Sequence, residues 1–145
     1  TMPREANPTT TPVPTMPYVG LVTVEEVVHN LQAKTNLIID ARANDRFHGQ
    51  NETLDPVGGH IPNAINYCFR ENLSRKSFKA PEQLFKDLVD LLGSTKPSEV
   101  IHQCGSGVTA CHNLLAMEIA GLKGSRVYAG SWSEWCADPS RPVAL

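Results

Sequence analysis

Cys104 is the residue of this chain best placed to do chemistry. It follows Val100–Gln103, a short apolar stretch that predicts a buried strand, and it precedes a turn with two glycines and a helical pattern over 110–120. A thiol at such a junction faces backbone N–H groups and the positive end of the helix dipole, and both favour a thiolate. A lone cysteine is more often a small buried hydrophobe. The turn makes a nucleophile the better interpretation here.

Helices and strands alternate around this turn. Thr23 and Glu26 form a capping box that predicts a helix through about residue 33, and Pro81 fits the first turn of a second helix. Strands are predicted at 37–40, 100–103 and 126–129, a long functional loop at 42–63, and a short helix after a second capping box at 131–134. The apolar face of the second helix is predicted to hold Leu84, Phe85, Leu88, Val89, Leu91 and Leu92.

This alternation predicts an α/β fold with a mostly parallel central sheet and helices on both faces. Ligands bind such sheets beyond the carboxyl ends of the strands. Asp40, Cys104 and Gly130 all fall at such ends. We therefore expect one site that gathers the three segments.

The composition limits the class of protein. The chain has 145 residues, 41% of them hydrophobic, which suits one domain with one core. A net charge of -2 argues against nucleic acid or a membrane surface as partner, and the chain shows neither a signal-peptide pattern nor a membrane-length apolar run. Its four cysteines lack zinc-ligand or C-x-x-C spacing. We expect a cytoplasmic protein with reduced thiols.

Residues 1–17 differ from the rest of the chain. They carry five prolines among threonines and almost no apolar side chain, which predicts a flexible Pro/Thr-rich linker. The globular domain is then expected at 18–145. Such a linker suggests that another domain precedes it in a longer protein.

Five segments together resemble a known family. They read IDAR at 39–42, RFHG at 46–49, GHIPNA at 59–64, CGSGVTA at 104–110 and GSWSEW at 130–135. In this order they resemble a rhodanese domain, and in particular the second, catalytic half of tandem-domain sulfurtransferases. The loop resembles the mercaptopyruvate type more than the thiosulfate type. The resemblance implies a rhodanese-like fold and a preceding rhodanese-like domain in the full-length protein.

The resemblance also implies sulfur transfer through a persulfide on Cys104. The thiolate would take the outer sulfur of a small anionic donor, thiosulfate or 3-mercaptopyruvate, and pass it to cyanide or to a small-molecule or protein thiol. No metal and no organic cofactor is implied. The loop whose N–H groups would hold the anionic sulfur comprises Gly105, Ser106, Gly107, Val108 and Thr109.

Other positions match the family's pattern with different roles. Arg46 matches the arginine that binds the donor's anionic group. Ser106 matches a loop serine that helps to protonate a departing enolate, with partners on the preceding domain. Mercaptopyruvate enzymes usually carry a second substrate arginine nine positions after the first, and this chain has Asp55 there. The basic residues that could take its place are Arg42, Arg70 and Arg75.

The remaining marked residues are interpreted as structural. Asp40 and Arg42 are expected to anchor the neighbouring loop, His60 to stabilise a turn, and Trp132 to pack a helix on the sheet. Cys111 is expected in the core, and Cys68 and Cys136 carry no functional signal.

Two alternative functions stay open. One is a cysteine phosphatase, which shares the cysteine-loop design but needs an arginine to clamp the phosphate oxygens; the position six after Cys104 is Ala110, and no basic residue lies between Gly105 and Thr109. The other is a non-catalytic or weakly active binding or regulatory module, since rhodanese-like domains also occur as inactive adaptors.

Overall fold

The structure, a computed structural model, describes residues 20–75 and 77–145. The predicted linker at 1–17 lies outside the described residues. The strands are β1 (Leu21–Val22), β2 (Leu37–Asp40), β3 (Ile65–Asn66), β4 (Leu73–Ser74), β5 (Ser77–Phe78), β6 (Val100–Gln103) and β7 (Arg126–Tyr128). The α-helices are α1 (Val24–Ala33), α2 (Asn44–Phe47), α3 (Pro81–Leu92), α4 (Val108–Ile119) and α5 (Ser131–Trp135), with 3-10 turns at Phe69–Asn72 and Pro97–Glu99.

Five of these strands form one parallel sheet. Its order is β1-β7-β6-β2-β3, and β4 and β5 form a separate antiparallel pair. Asp40, the last residue of β2, lies in register with Gln103, the last residue of β6. The predicted α/β fold with a parallel sheet is confirmed. Asp40 ends β2 and Cys104 follows β6, so both lie at the carboxyl ends of neighbouring parallel strands.

Helices cover both faces of the sheet. Alternate side chains of a strand point to opposite faces. Ile38 and Ile101 pack in a cluster with Val27 of α1 and Trp132 of α5, whereas Ile39 packs with residues of α3 and α4. Each face therefore has its own apolar core. None of the helices in the described part of the chain is long and apolar enough to cross a membrane.

The predicted capping box at the start of α1 is confirmed. The Glu26 N–H donates to Thr23 Oγ1 at 3.3 Å, and the Thr23 N–H donates to Glu26 Oε1 at 3.0 Å. These bonds satisfy two N–H groups that a helix start leaves without partners. The helix ends at Ala33, and its C-cap Lys34 has a left-handed φ of 54°.

The apolar face of α3 is narrower than predicted. Leu84, Leu88 and Leu92 are buried at a spacing of four residues, whereas Phe85 is 48% exposed and Val89 is also exposed. Only one stripe of the helix meets the sheet and α4. The prediction that Phe85 and Val89 belong to the buried face is wrong.

Two further sequence predictions are also wrong. The second capping box is not formed, because α5 begins at Ser131 itself, with Gly130 as its N-cap and no side-chain cap. Cys111 is exposed, not part of the core, because α4 buries a different stripe that includes Ala110, Asn113 and Met117.

The long loop at 42–63 also contains the short helix α2.

Candidate active site

Cys104 lies directly after β6 with its side chain turned into the start of α4. The residue is only 1% exposed, and the Gly107 N–H donates to Cys104 Sγ at an N to S distance of 2.9 Å. Gly107 is also the N-cap of α4, a helix of 12 residues. The sulfur thus accepts a hydrogen bond from a backbone N–H at the positive end of a helix dipole, where negative charge is favoured.

Gly107 is the one loop position at which the backbone requires glycine. Its φ is 96°, in the left-handed region that side chains with a Cβ rarely adopt. A Cβ built there would also collide with the carbonyl oxygen of Ala129. Both constraints hold the Gly107 N–H against the sulfur.

Helix α5 holds the other side of the cysteine loop. Ser131 Oγ accepts the Cys104 N–H at 3.1 Å and donates to the Tyr128 carbonyl at 2.8 Å. The N–H groups of Trp132 and Ser133 donate to the carbonyls of Cys104 and Gly105, both at 2.9 Å. The loop is therefore fixed between the starts of two helices. Ser131 was not identified as a site residue from sequence, because its hydroxyl was assigned to the predicted capping box at 131–134.

Asp40 and Arg42 form a buried ion pair beside the loop. The Arg42 backbone N–H and Nε donate to Asp40 Oδ1, both at 3.0 Å, and Nη2 donates to Oδ2 at 2.7 Å. The same Nη2 donates to the Gly59 carbonyl at 2.6 Å, and the guanidinium lies 4.9 Å from the centroid of the Trp132 ring. Arg42 therefore contacts the end of β2, the segment at Gly59 and helix α5.

Arg46 lies over the cysteine loop. A Cβ built on Gly105 would be 3.5 Å from Arg46 Nη2. Arg46 Nη2 is 3.2 Å from a Glu52 carboxylate oxygen and 3.9 Å from an Asp55 carboxylate oxygen. Burial acts to raise the pKa of Glu52, but the N–H groups of Asp55 and Leu54 and the Arg46 guanidinium hold it below its ordinary value. Glu52 is therefore charged near neutral pH and offsets the charge of Arg46.

Asp55 also lines the pocket and contacts Arg46 and Ser133. Its Oδ1 accepts the hydroxyl proton of Ser133 at 2.8 Å. The contacts of Glu52 and Asp55 could not be predicted from sequence, because their segment has no periodic pattern of apolar residues.

Part of this arrangement lines a pocket of about 410 Å³. The pocket brings together Cys104, Arg42, Arg46 and four residues of the cysteine loop, Gly105, Ser106, Val108 and Thr109. Its other lining residues are Ala43, Leu54, Asp55, Phe69, Arg70 and Ser133. Phe69 is a lining residue that the sequence did not indicate.

His60 and Trp132 lie outside the lining of the pocket. His60 Nδ1 is 2.7 Å from the Phe47 carbonyl, and its ring stacks on the Phe47 ring with centroids 3.7 Å apart. Trp132 is fully buried, and its indole N–H donates to the Val57 carbonyl at 2.8 Å. Within 20–75 and 77–145, no group of three or more His, Cys, Asp or Glu side chains could hold a metal ion.

The parallel sheet, the cysteine at its carboxyl edge and the glycine turn define a class of protein. The family model described as "Rhodanese-like domain" matches residues 23–138. The chain belongs to this family.

Two named relatives indicate the kind of rhodanese-like protein that the chain resembles. It is 53% identical over 108 residues to the probable 3-mercaptopyruvate sulfurtransferase of Pseudomonas aeruginosa, a match covering 74% of this chain and 38% of the relative. It is 42% identical over 123 residues to the thiosulfate sulfurtransferase of Mus musculus, covering 79% of this chain and 40% of the relative. The chain thus spans about two fifths of the length of these curated relatives.

Solved structures share the fold. Tum1 from Saccharomyces cerevisiae superposes with a TM-score of 0.74 at 28% identity, covering 88% of this chain and 47% of Tum1. The wild-type structure of EanB gives a TM-score of 0.77 at 20% identity, covering 94% of this chain and 33% of EanB. The likeness to EanB shows the fold alone.

Proposed function

We propose that the chain is a sulfurtransferase domain that moves a sulfane sulfur from thiosulfate or 3-mercaptopyruvate to a thiophilic acceptor through a Cys104 persulfide. The observation that carries the proposal is the position of Cys104, which lines a pocket with three arginines and whose Sγ lies at the N-terminus of α4, 2.9 Å from the Gly107 nitrogen. The names of the relatives support both donors.

The first half of the reaction transfers one sulfur atom to the enzyme. The Cys104 thiolate attacks the outer sulfur of the donor, and a new S–S bond forms. With thiosulfate, the bond between the two donor sulfurs breaks and its electron pair leaves with sulfite. With 3-mercaptopyruvate, the C–S bond breaks and its electron pair leaves as the enolate of pyruvate, which then takes up a proton. Ser106, exposed at the pocket, is the loop hydroxyl that we propose assists this protonation.

The second half of the reaction returns the thiolate. The acceptor, cyanide or a thiolate, attacks the outer sulfur of the persulfide, and the electron pair of the S–S bond returns to Cys104. The Gly107 N–H that now meets Sγ would stabilise the negative charge at the start and at the end of the cycle.

Arg46 is proposed to bind the anionic end of the donor. Its guanidinium lies over Gly105, next to the nucleophile, and a guanidinium can make two hydrogen bonds to a carboxylate or a sulfonate. Because Glu52 and Asp55 already face Arg46, donor binding exchanges one anionic partner for another. Asp40 and Arg42 are proposed as the support that fixes this wall of the pocket.

A preceding rhodanese-like domain in the full-length protein is part of the same proposal. The relatives are more than twice as long as the segment matched here, which supports it.

Intact-mass measurement after incubation with each donor tests the proposed function. We expect the mass of one sulfur atom to be added with at least one donor and removed by cyanide. Cys104→Ser should abolish the addition. Cys111→Ser is the matched control, because Cys111 is exposed on α4 and should leave the addition intact.

The alternatives give different results in the same set of measurements. Absence of an adduct with both donors would show a non-catalytic rhodanese-like module. Cys104-dependent hydrolysis of an aryl phosphate would show a phosphatase.

A further inference from the structure

The charges around the pocket are unevenly paired. Three arginines line it, and two of them already face carboxylates: Arg42 is paired with Asp40 at 2.7 Å, and Arg46 with Glu52 at 3.2 Å. Asp55 adds a further negative charge 3.9 Å from Arg46. An anionic donor that approached Arg46 alone would meet two carboxylates beside it.

Arg70 is the third arginine, and its charge is not offset in this way. It is exposed, and it makes no ion pair within the described residues 20–75 and 77–145. Its guanidinium carbon lies 5.4 Å from the centroid of the Phe69 ring, a cation-π contact. Phe69 in turn packs against the apolar cluster that contains Cys104. Phe69 and Arg70 both line the pocket, so this contact favours a position of the cation beside it.

We propose that Arg70 is a specificity-determining residue that binds the anionic end of the sulfur donor. The proposal rests on the proposed function, because it names the group at the same site that selects anionic donors. Arg70 provides positive charge without first losing a carboxylate partner, whereas Arg46 must exchange Glu52. Asp55, 3.9 Å from Arg46, repels the same anion and so further weakens the attraction of Arg46 for the donor.

Arg70→Gln tests the proposal, and Arg75→Gln is the matched control. Arg75 is also exposed, in the turn between β4 and β5, and does not line the pocket. Thiosulfate binding is measured by calorimetry in a Cys104→Ser background, where no sulfur can be transferred. Because Arg70→Gln removes charge-assisted hydrogen bonds to the anion, we expect binding to weaken by about tenfold or more in this variant and to be unchanged in Arg75→Gln.

Kinetics with intact Cys104 provide a second readout. Arg70→Gln should raise the KM for thiosulfate about tenfold with a much smaller change in kcat, and Arg70→Lys should recover part of the loss. A purely structural role for Arg70 would not separate KM from kcat or respond to the restored charge.

Failure of this inference can be distinguished from failure of the proposed function. Equal thiosulfate binding with and without the Arg70→Gln change, or no binding in the Cys104→Ser background, overturns the role of Arg70 even if a persulfide forms. Weaker binding in Arg70→Gln, together with no persulfide in the unaltered protein, supports the anion site and overturns the sulfurtransferase proposal.

Discussion

At the scale of single residues, Gly107 sets the distance between the cysteine sulfur and the start of α4. Its left-handed φ of 96° and its contact with Ala129 leave no room for a side chain. Gly121, at the other end of α4, has a similar φ of 85° but nothing within 4 Å of an added Cβ. The two glycines share the same backbone constraint and differ in their surroundings.

Gly107→Ala is therefore expected to displace the N–H from Cys104 Sγ. Both Gly107→Ala and Gly121→Ala should lose about 1–2 kcal/mol of stability from the left-handed backbone. Only Gly107→Ala should also slow alkylation of Cys104 by iodoacetamide and persulfide formation, each by about tenfold, since the hydrogen bond from the Gly107 N–H to Sγ is lost. Equal Cys104 reactivity in the two variants would show that the Gly107 N–H contributes nothing to the thiolate.

At the scale of elements, β6 carries a buried histidine, His102, two residues before Cys104. His102 is 1% exposed, and neither ring nitrogen has a hydrogen-bond partner within the described residues. It lies in register with Ile39 of β2 and Val127 of β7. Burial lowers the pKa of His102 from 6.5 to about 3, so the imidazole is neutral in the folded protein above that pH.

This histidine should make folding stability depend on pH. Below pH 6.5 the unfolded chain binds a proton that folded His102 does not bind until about pH 3, so stability falls as the pH is lowered through this window. The contribution of one such group is at most about 1.4 kcal/mol per pH unit.

His102→Leu is expected to remove that contribution. Urea unfolding at pH 7 and pH 5 should show a smaller loss for His102→Leu than for the unaltered protein. At pH 7 the variant should be more stable by about 1 kcal/mol, because two buried polar atoms without partners are removed. The same pH dependence in both proteins would contradict the low pKa of His102.

The elements with local signals could be predicted from sequence. The start of α1 depends on Thr23 and Glu26, three residues apart, and that of α3 on Pro81, while β2 and β6 are short apolar runs. Ser131 shows why other features could not. Its hydroxyl bonds to the N–H of Cys104, 27 residues away, and this distant partner replaces the local cap that the sequence pattern favours.

Part of the candidate site could likewise be predicted from sequence, and part could not. The cysteine, its glycine turn and the carboxyl edge of the sheet follow from adjacent residues and from strand order. The pairing of Arg46 with Glu52 and Asp55 does not, because an irregular loop has no period that would tell which side chains face inward. The position of Cys111 depended on the rotation of α4, which is set by contacts with the sheet.

At the scale of the whole molecule, residues near 144 close a loop that supports the site. His60 and Ala144 exchange two backbone hydrogen bonds, of 2.8 and 2.9 Å. The neighbouring Gly59 carbonyl accepts a hydrogen bond from Arg42, and an added Cβ at Gly59 would be 2.5 Å from the Ala144 carbonyl oxygen. The loop that receives Arg42 is thus fixed from the far end of the domain.

Removal of residues 143–145 should therefore loosen the segment around Gly59. We expect faster amide hydrogen exchange at 57–61 and a loss of stability of about 1–3 kcal/mol, since two backbone hydrogen bonds disappear. Leu145→Ala separates the two effects of the truncation, because it keeps both backbone hydrogen bonds and removes only a largely exposed side chain near Gly59. Unchanged exchange at 57–61 after the truncation would show that the bridge does not hold this loop.

The order of strands has a consequence for how the chain folds. Among residues 20–75 and 77–145, β1 joins the sheet only by pairing with β7, so Leu21 must meet Val127 across most of the domain. Closing so long a loop costs entropy that local contacts do not repay, and folds with such pairings form more slowly than helical bundles. On a ribosome, β1 therefore cannot gain this partner until β7 has been made.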